Sequence, residues 1–434
     1  MNNSITSIFE AVRKLKGKGL FDIFGANVIN KILAFLSSIF IVRILTKEEF
    51  GTYAYLQNIL SFFLLLNGAG VTSGYLQYGS KYWKDFKRFS FFKYSFKIGL
   101  TCNFIIGILI SAYALFLSRD SKEISMLLIY MCLIPFFSLI FELLQTYNRV
   151  ERDFKKYSRL TTINTVVYVL GMLAGAYLMK VTGIIVFHYI ALFISILFGV
   201  YTFSARNVQW SKIKEPERKE KKNFMSFSIL TMLSNAAGQL TYILDVFIIG
   251  FLLKDLNILA SYKTATIIPF ALTFIPISIM IFVYPYFVEH ARDVDWVKKN
   301  YKNLLLYNGA FNLAISLFLI IFSKLIIRIC FGEQYIDTLY AFIILSAGYF
   351  ISASFRIPAG NILAALGKVK INLYITIIAG ILQIILDVVL ILNIGSIGAA
   401  ISSLCIFVFT GMLNNILLYR TINGQVSHNN QASI

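Results

Sequence analysis

Long apolar runs dominate the chain, separated by short polar, mostly basic stretches. A helix needs about 20 mostly apolar residues to cross about 30 Å of hydrocarbon. Runs of that length lie at approximately 22–45, 52–77, 92–117, 124–147, 160–180, 184–204, 225–252, 262–288, 303–328, 338–357, 371–393 and 396–419. They are rich in Leu, Ile and Phe and lack period-two alternation, so they predict helices and not barrel strands. A polar, basic start with Arg13, Lys14, Lys16 and Lys18 precedes the first run, which has no small-residue cleavage site. It reads as a retained membrane helix. The expected fold is an all-α polytopic membrane protein of about 12 transmembrane helices.

The most polar internal stretch is 205–224, with Lys212, Lys214, Glu215, Glu217, Arg218, Lys219, Glu220, Lys221 and Lys222. It divides the chain into an N-terminal lobe at 1–204, a cytoplasmic linker at 205–224 and a C-terminal lobe at 225–420. A low-complexity tail at 421–434 is expected to be disordered. The halves echo each other. Phe40 to Glu48 follows the first span as Phe247 to Asp255 follows the seventh, and Gly51-Thr52-Tyr53 parallels Ala260-Ser261-Tyr262. Thr182-Gly183-Ile184-Ile185 parallels Ile394-Gly395-Ser396-Ile397. Six spans per half make both halves enter the membrane in the same sense, which predicts parallel six-helix lobes related by a pseudo-two-fold axis along the membrane normal.

Composition narrows the class further. The 434 residues are 58 % hydrophobic and 14 % charged, against about 45–50 % and about 25 % for soluble domains. A cytosolic enzyme, a secreted disulfide scaffold and a disordered chain are excluded. The net charge of +19 would suggest nucleic acid in a soluble protein. Here 30 of the 40 Lys and Arg fall in the termini and loops on one side of the spans. Nine fall on the other, among them Arg43, Lys263 and Arg328, and Lys31 lies within the first span. That bias places both termini in the cytoplasm and accounts for the charge as a face beside anionic lipid headgroups, with no nucleic acid involved. Cys102, Cys132, Cys330 and Cys405 form no CxxC pair and read as small buried hydrophobes. The three histidines are too scattered for a metal site, and His188 reads as a packing residue. Between Gly360 and Gly367-Lys368 lie six residues, and Val369 stands where a phosphate-binding loop needs Ser or Thr. No catalytic arrangement is evident, so the chain is expected not to be an enzyme.

What remains is polarity inside the spans. Asn27, Asn30, Lys31, Ser37 and Ser38 follow a helical period in the first span, and Thr161, Asn164, Thr165 and Tyr168 in the fifth. Asn235, Gln239, Tyr242 and Asp245 do so in the seventh, and Asn372, Thr376, Gly380, Gln383 and Asp387 in the eleventh. Interhelical hydrogen bonding explains one such residue, at about 0.6 kcal/mol a bond. Four stripes at equivalent places in two halves suggest an aqueous cavity shared by the lobes. A central charge costs about 2.5–3.5 kcal/mol on insertion scales, so Lys31 reads as cavity-facing or paired with an acid. Asp245 and Asp387 read either as partners of Lys or Arg, or as ligands of a coupling ion. Glu142 and Arg356 lie near inner helix ends, where snorkelling is the alternative to a role in charge pairing or binding. Arg43 and Arg328 lie at outer helix ends and fit interface anchors as well as a lumen.

Arg43-Ile44-Leu45-Thr46-Lys47-Glu48-Glu49-Phe50-Gly51-Thr52-Tyr53 resembles the stretch after the first helix in polysaccharide flippases of the multidrug/oligosaccharidyl-lipid/polysaccharide (MOP) exporter superfamily. Asp245 to Gly250, the Cys330-Phe331-Gly332-Glu333-Gln334-Tyr335 turn, Pro358 to Lys368 and Gly395 to Ala400 are similar to later family segments, in the family's order. The resemblance covers roughly residues 20–415 and is to Wzx-type O-antigen or capsule flippases. It implies two MATE-like six-helix lobes working by alternating access in the bacterial inner membrane. The implied cargo is an undecaprenyl-diphosphate-linked oligosaccharide, with no cofactor, a H+ or Na+ gradient as alternative energy sources, and a polymerase and chain-length regulator as partners. Lys31 and Arg356, with Arg43 and Arg328, would offset desolvation of the diphosphate. Asn27, Asn235, Gln239, Tyr242 and Gln383 would meet sugar hydroxyls. A cation-coupled drug exporter of the same superfamily is the alternative.

Overall fold

In a computed structural model the described residues are 20–203, 208, 210–291 and 293–431, with side chains described from residue 28 apart from 212 and 424–431. Among these, all regular structure is helical. Ten helical stretches are long and apolar enough to cross a bilayer, and one of them, Phe154–Tyr201, contains two spans joined at a kink. The helix Leu20–Ile44 precedes them. This is the multi-pass helical architecture expected from the run lengths.

By internal contacts the chain forms two compact units. One comprises residues up to Leu45 with Ile59–Ala236, the other Thr46–Asn58 with Ala237–Ile434. The first unit contains helices α1 (Leu20–Ile44), α3 (Val71–Lys81), α4 (Lys87–Leu117), α5 (Lys122–Tyr130), α6 (Ile134–Val150) and α7 (Phe154–Tyr201), of which α3, α4 and α6 supply most of an aromatic core. That core holds Tyr75, Phe91, Phe92, Tyr147 and Phe224. Helices α2 (Lys47–Leu64) and α8 (Arg218–Leu253) each contribute one part to either unit. The second unit adds α9 (Leu256–Ala271), α10 (Phe274–Glu289), α11 (Val294–Ile321), α12 (Ser323–Cys330), α13 (Leu339–Ile351), α14 (Ile357–Ala365), α15 (Val369–Ile394) and α16 (Ser396–Gln431). Its core includes Met280, Phe287, Tyr301, Ile362, Leu363 and Leu418. The stretch from 421, expected as a disordered tail, is helical through 431, and 432–434 lie outside the described residues.

Outward helix faces keep large apolar side chains uncovered, such as Ile105, Ile108, Leu115 and Phe116 on α4 and Ile377, Ile381, Ile385 and Val389 on α15. Such stripes suit hydrocarbon and not water. Part of the polar linker lies against the first unit. Lys93 Nζ donates to the carbonyls of Trp210 and Ile213 at 3.0 and 3.1 Å, and Trp210 packs among Phe89, Phe92 and Phe203. Glu215 accepts from Lys221 and from Lys97, and these two ammonium groups hold its carboxyl below the usual carboxylate range.

The internal echo has a geometric form. Thr46 and Glu49 cap α2 reciprocally: Glu49 Oε2 accepts from Thr46 N at 2.9 Å and Thr46 Oγ1 from Glu49 N at 3.3 Å. Asp255 caps α9 by accepting from the amides of Asn257 and Ile258. Tyr53 and Tyr262 each follow their cap by seven residues, as the sequence echo requires. The second echo holds with a shifted register. Lys180 (φ 56°, ψ −136°) and Gly395 (φ 64°, ψ −145°) make the same left-handed turn in the two halves. Three residues later Gly183 and Gly398 press on backbone: an added Cβ would stand 2.1 Å from the Gly175 carbonyl oxygen and 2.3 Å from that of Leu390. The matching pairs are thus Lys180 with Gly395 and Gly183 with Gly398. The sequence pairing of Gly183 with Gly395 was three residues out, because one glycine motif serves two different needs.

Gly398→Leu should therefore lower stability by about 1–3 kcal/mol or more, as overpacking does. Thermal unfolding of the detergent-solubilised protein measures it, and an unchanged melting temperature would contradict the close approach.

Candidate functional site

The second unit contains a cavity of about 370 Å³ lined by Gly238, Thr241 and Tyr242 of α8, Arg356, Asn361, Asn372, Thr376, Thr410 and Asn414, with a few apolar side chains. Local backbone aims the arginine. Between α13 and α14 the chain widens to a π-helical turn at Ser352–Arg356, and such bulges re-aim a side chain within a continuous helix. Arg356 Nη1 donates to Tyr242 Oη at 3.1 Å and Nη2 to Thr241 Oγ1 at 3.3 Å. Its guanidinium lies 5.4 Å from the Tyr242 ring centroid and 5.1 Å from that of Phe407. Among the described residues no carboxylate is a hydrogen-bond or ion-pair partner of Arg356. The cation is held by hydroxyls and ring faces, which leaves its charge available to an anion.

Next along α8 lies a denser, buried polar cluster. Asp245 is buried and accepts from Tyr262 Oη, Gln383 Nε2 and, at 2.5 Å, Ser403 Oγ. Gln383 Nε2 also donates to the Thr241 carbonyl at 3.2 Å. Asp387, one turn beyond Gln383, is fully buried and within electrostatic reach of Asp245. Lys263 on α9 is also within electrostatic reach of Asp245. The sequence placed Lys263 among loop charges, whereas the structure places it mid-helix.

The sequence-derived residues separate into groups. Arg356, Tyr242 and, one step behind the cavity, Gln383 and Asp245 come together in the second unit, as the seventh- and eleventh-span stripes suggest. Gln239 is exposed in that unit, and Asn235 is exposed in the first. Lys31 and Arg43 are exposed on α1; Asn30 beside Lys31 is buried without a side-chain hydrogen-bond partner among the described residues. The Asn27 side chain lies outside the described residues. Arg328 makes an exposed ion pair with Glu333 at 2.6 Å. Glu142 does not reach a helix end but accepts from Asn67 at 2.8 Å. His188 packs edge-on against Tyr168. Thr241, Tyr262, Ser403 and Phe407 escaped sequence reading because each is an ordinary residue of an apolar helix; only proximity gives them roles. Among the described residues no group of three or more His, Cys, Asp or Glu is placed to hold a metal ion.

The signature-like stretch after α1 has a structural role in the second unit. Lys47 Nζ reaches Asp337 Oδ2 at 2.6 Å and the Gln334 carbonyl at 3.2 Å, and Asp337 also accepts from Ser261 at 2.7 Å. Phe50 packs edge-on against buried Tyr335. Residues from three distant motifs thus meet at one junction.

A family of polysaccharide biosynthesis proteins matches residues 40–340. The chain belongs to that family. The probable low-salt glycan biosynthesis flippase Agl15 of Haloferax volcanii is 26 % identical over 212 residues, 47 % of this chain and 43 % of that protein. The chain thus spans less than half the length of this curated relative. The fold of the chain is like that of solved proteins of the MOP superfamily. An inward-facing multidrug resistance MATE transporter superposes with a TM-score of 0.74 at 13 % identity, over 92 % of this chain and 96 % of that one. The lipid II flippase MurJ, inward closed, gives 0.65 at 12 % identity, over 92 % and 87 %. Identities this low carry the fold alone.

Asp245→Ala should strand the hydroxyls of Tyr262 and Ser403 and the amide of Gln383. The expected loss is about 2–5 kcal/mol of stability, read by thermal unfolding in detergent. A variant as stable as the parent would show that the cluster does not depend on Asp245.

Proposed function

We propose that this polysaccharide biosynthesis protein flips a lipid-linked oligosaccharide across the bacterial cytoplasmic membrane, with both termini on the cytoplasmic side. The carrying observation is Arg356, a cation inside an apolar helical bundle, facing a cavity edged with amides and hydroxyls and held by the hydroxyls of Tyr242 and Thr241. A diphosphate cannot cross hydrocarbon bare; a guanidinium offers it paired, charge-assisted hydrogen bonds in place of water. Asn361, Asn372, Thr376 and Asn414 have the donors and acceptors that sugar hydroxyls need. Membership of the family and the likeness to a glycan flippase support the reading. The cargo is an undecaprenyl-diphosphate-linked O-antigen or capsule repeat unit. A polymerase and a chain-length regulator act after it.

The buried pair Asp245 and Asp387 favours a second feature, coupling to a H+ or Na+ gradient. A cation-coupled drug exporter would share that pair, and MATE neighbours share the fold. The cationic cavity argues against it, since a guanidinium repels the cationic drugs such an exporter carries.

Deleting the gene in its host should abolish surface polysaccharide and accumulate lipid-linked repeat units on the cytoplasmic leaflet. Restoring the gene as Arg356→Ala should leave the protein inserted but cut surface glycan roughly tenfold or more. Normal glycan on deletion, with greater sensitivity to cationic dyes, would overturn the reading in favour of drug export.

A further inference from the structure

The first unit holds its own polar pocket, of about 200 Å³, whose lining includes Thr72, Ser73, Glu142, Gln145, Arg149 and Tyr157. It is built on one face of α6. Glu142, Gln145, Thr146 and Arg149 stand at i, i+3, i+4 and i+7, a continuous polar stripe on an otherwise apolar helix. Facing it is the first turn of α3, which begins only because the second span breaks at Asn67–Gly70. Gly68, Ala69 and Gly70 all have positive φ (52°, 51° and 74°). The break is fixed by side chains: Asn103 accepts from Gly68 N at 2.6 Å and donates to Asn67 Oδ1 at 2.6 Å, and Asn67 Nδ2 donates to Glu142 at 2.8 Å. On the other wall Gln145 Nε2 donates to Thr161 Oγ1 at 2.8 Å, and Arg149 lies over the Tyr157 ring at 5.8 Å. The lining is therefore held in place from both sides.

The chemistry selects an occupant. Glu142 disfavours a phosphate, and Arg149 disfavours a bare metal cation. What a carboxylate, a guanidinium, a primary amide, two hydroxyls and an aromatic ring recognise together is a ring of hydroxyls with one apolar face. A volume of about 200 Å³ equals roughly six or seven waters of liquid and admits one pyranose but not a chain of them. We infer that this pocket is a monosaccharide subsite that binds a single neutral pyranose of the glycan. The sugar's origin in a lipid-linked glycan rests on the proposed function; the pocket's affinity for sugar does not.

The test uses the full-length protein in lipid nanodiscs with free glucose, galactose, mannose, rhamnose, N-acetylglucosamine and glucuronate as probes, read by saturation-transfer NMR and titration. At least one neutral sugar should bind, more tightly than glucuronate. Gln145→Ala and Glu142→Gln should each weaken that binding about tenfold or more; the second keeps an oxygen to accept from Asn67 and so preserves the fold. Glu333→Gln, at an exposed ion pair in the other unit, should leave it unchanged. Failure of every neutral sugar to bind, or undiminished binding in both pocket variants, overturns the inference, even if gene deletion confirms glycan transport. Sugar binding that depends on Glu142 and Gln145 upholds it, even if gene deletion shows no role in glycan export.

Discussion

Hydrocarbon gives a buried polar group no water to fall back on, and the organisation of this protein follows from that constraint. Backbone groups freed at a helix break and side chains such as Asp245 must find partners within the protein, or face a cavity. The two outcomes are separated in space. Tyr262, Gln383 and Ser403 all donate to Asp245 and form a buried cluster. One turn earlier on α8, Thr241 and Tyr242 hold Arg356 at the edge of open space. A single helix thus carries both a buried polar cluster and a cavity wall.

Breaks in the spans turn this constraint into shape. The second span stops at Asn67–Gly70 and restarts as α3, its freed amide taken by Asn103. At Gly70 an added Cβ would stand 2.2 Å from the Ser228 carbonyl oxygen, so close backbone approach and left-handed φ coincide at a residue without a side chain. The π-turn before α14 does for Arg356 what this break does for Thr72 and Ser73. In each unit an irregular segment adjoins or supplies residues that line a polar cavity, and non-helical backbone within a span is tolerated where protein or such a cavity surrounds it.

Much of this was legible in the sequence. Run lengths point to the spans, and the seventh- and eleventh-span stripes name Tyr242, Gln383, Asp245 and Asp387, which the fold brings together. The stripe on α6 follows the same spacing and was readable, but Glu142 alone drew attention because charge is more visible than Gln145 or Thr146. Arg328 was misleading for the same reason: its charge is answered by Glu333 five residues on, in an exposed pair. The breaks were not legible, since Leu-Asn-Gly-Ala-Gly-Val can continue a span or stop it, and only packing against Asn103 and Ser228 decides. Ser403 gains meaning from Asp245, 158 positions away, and Phe407 from Arg356 on another helix, relations that periodicity does not encode.

The central claim is that a cation in the cavity lets a lipid-bound diphosphate glycan cross the bilayer. The most direct measurement reconstitutes the full-length protein in liposomes with a labelled polyprenyl-diphosphate oligosaccharide and follows its leaflet distribution with an impermeant glycosidase. The account predicts protein-dependent exchange between leaflets that is lost in Arg356→Ala and largely kept in Arg356→Lys. Exchange at the same rate in Arg356→Ala and the parent protein would contradict it.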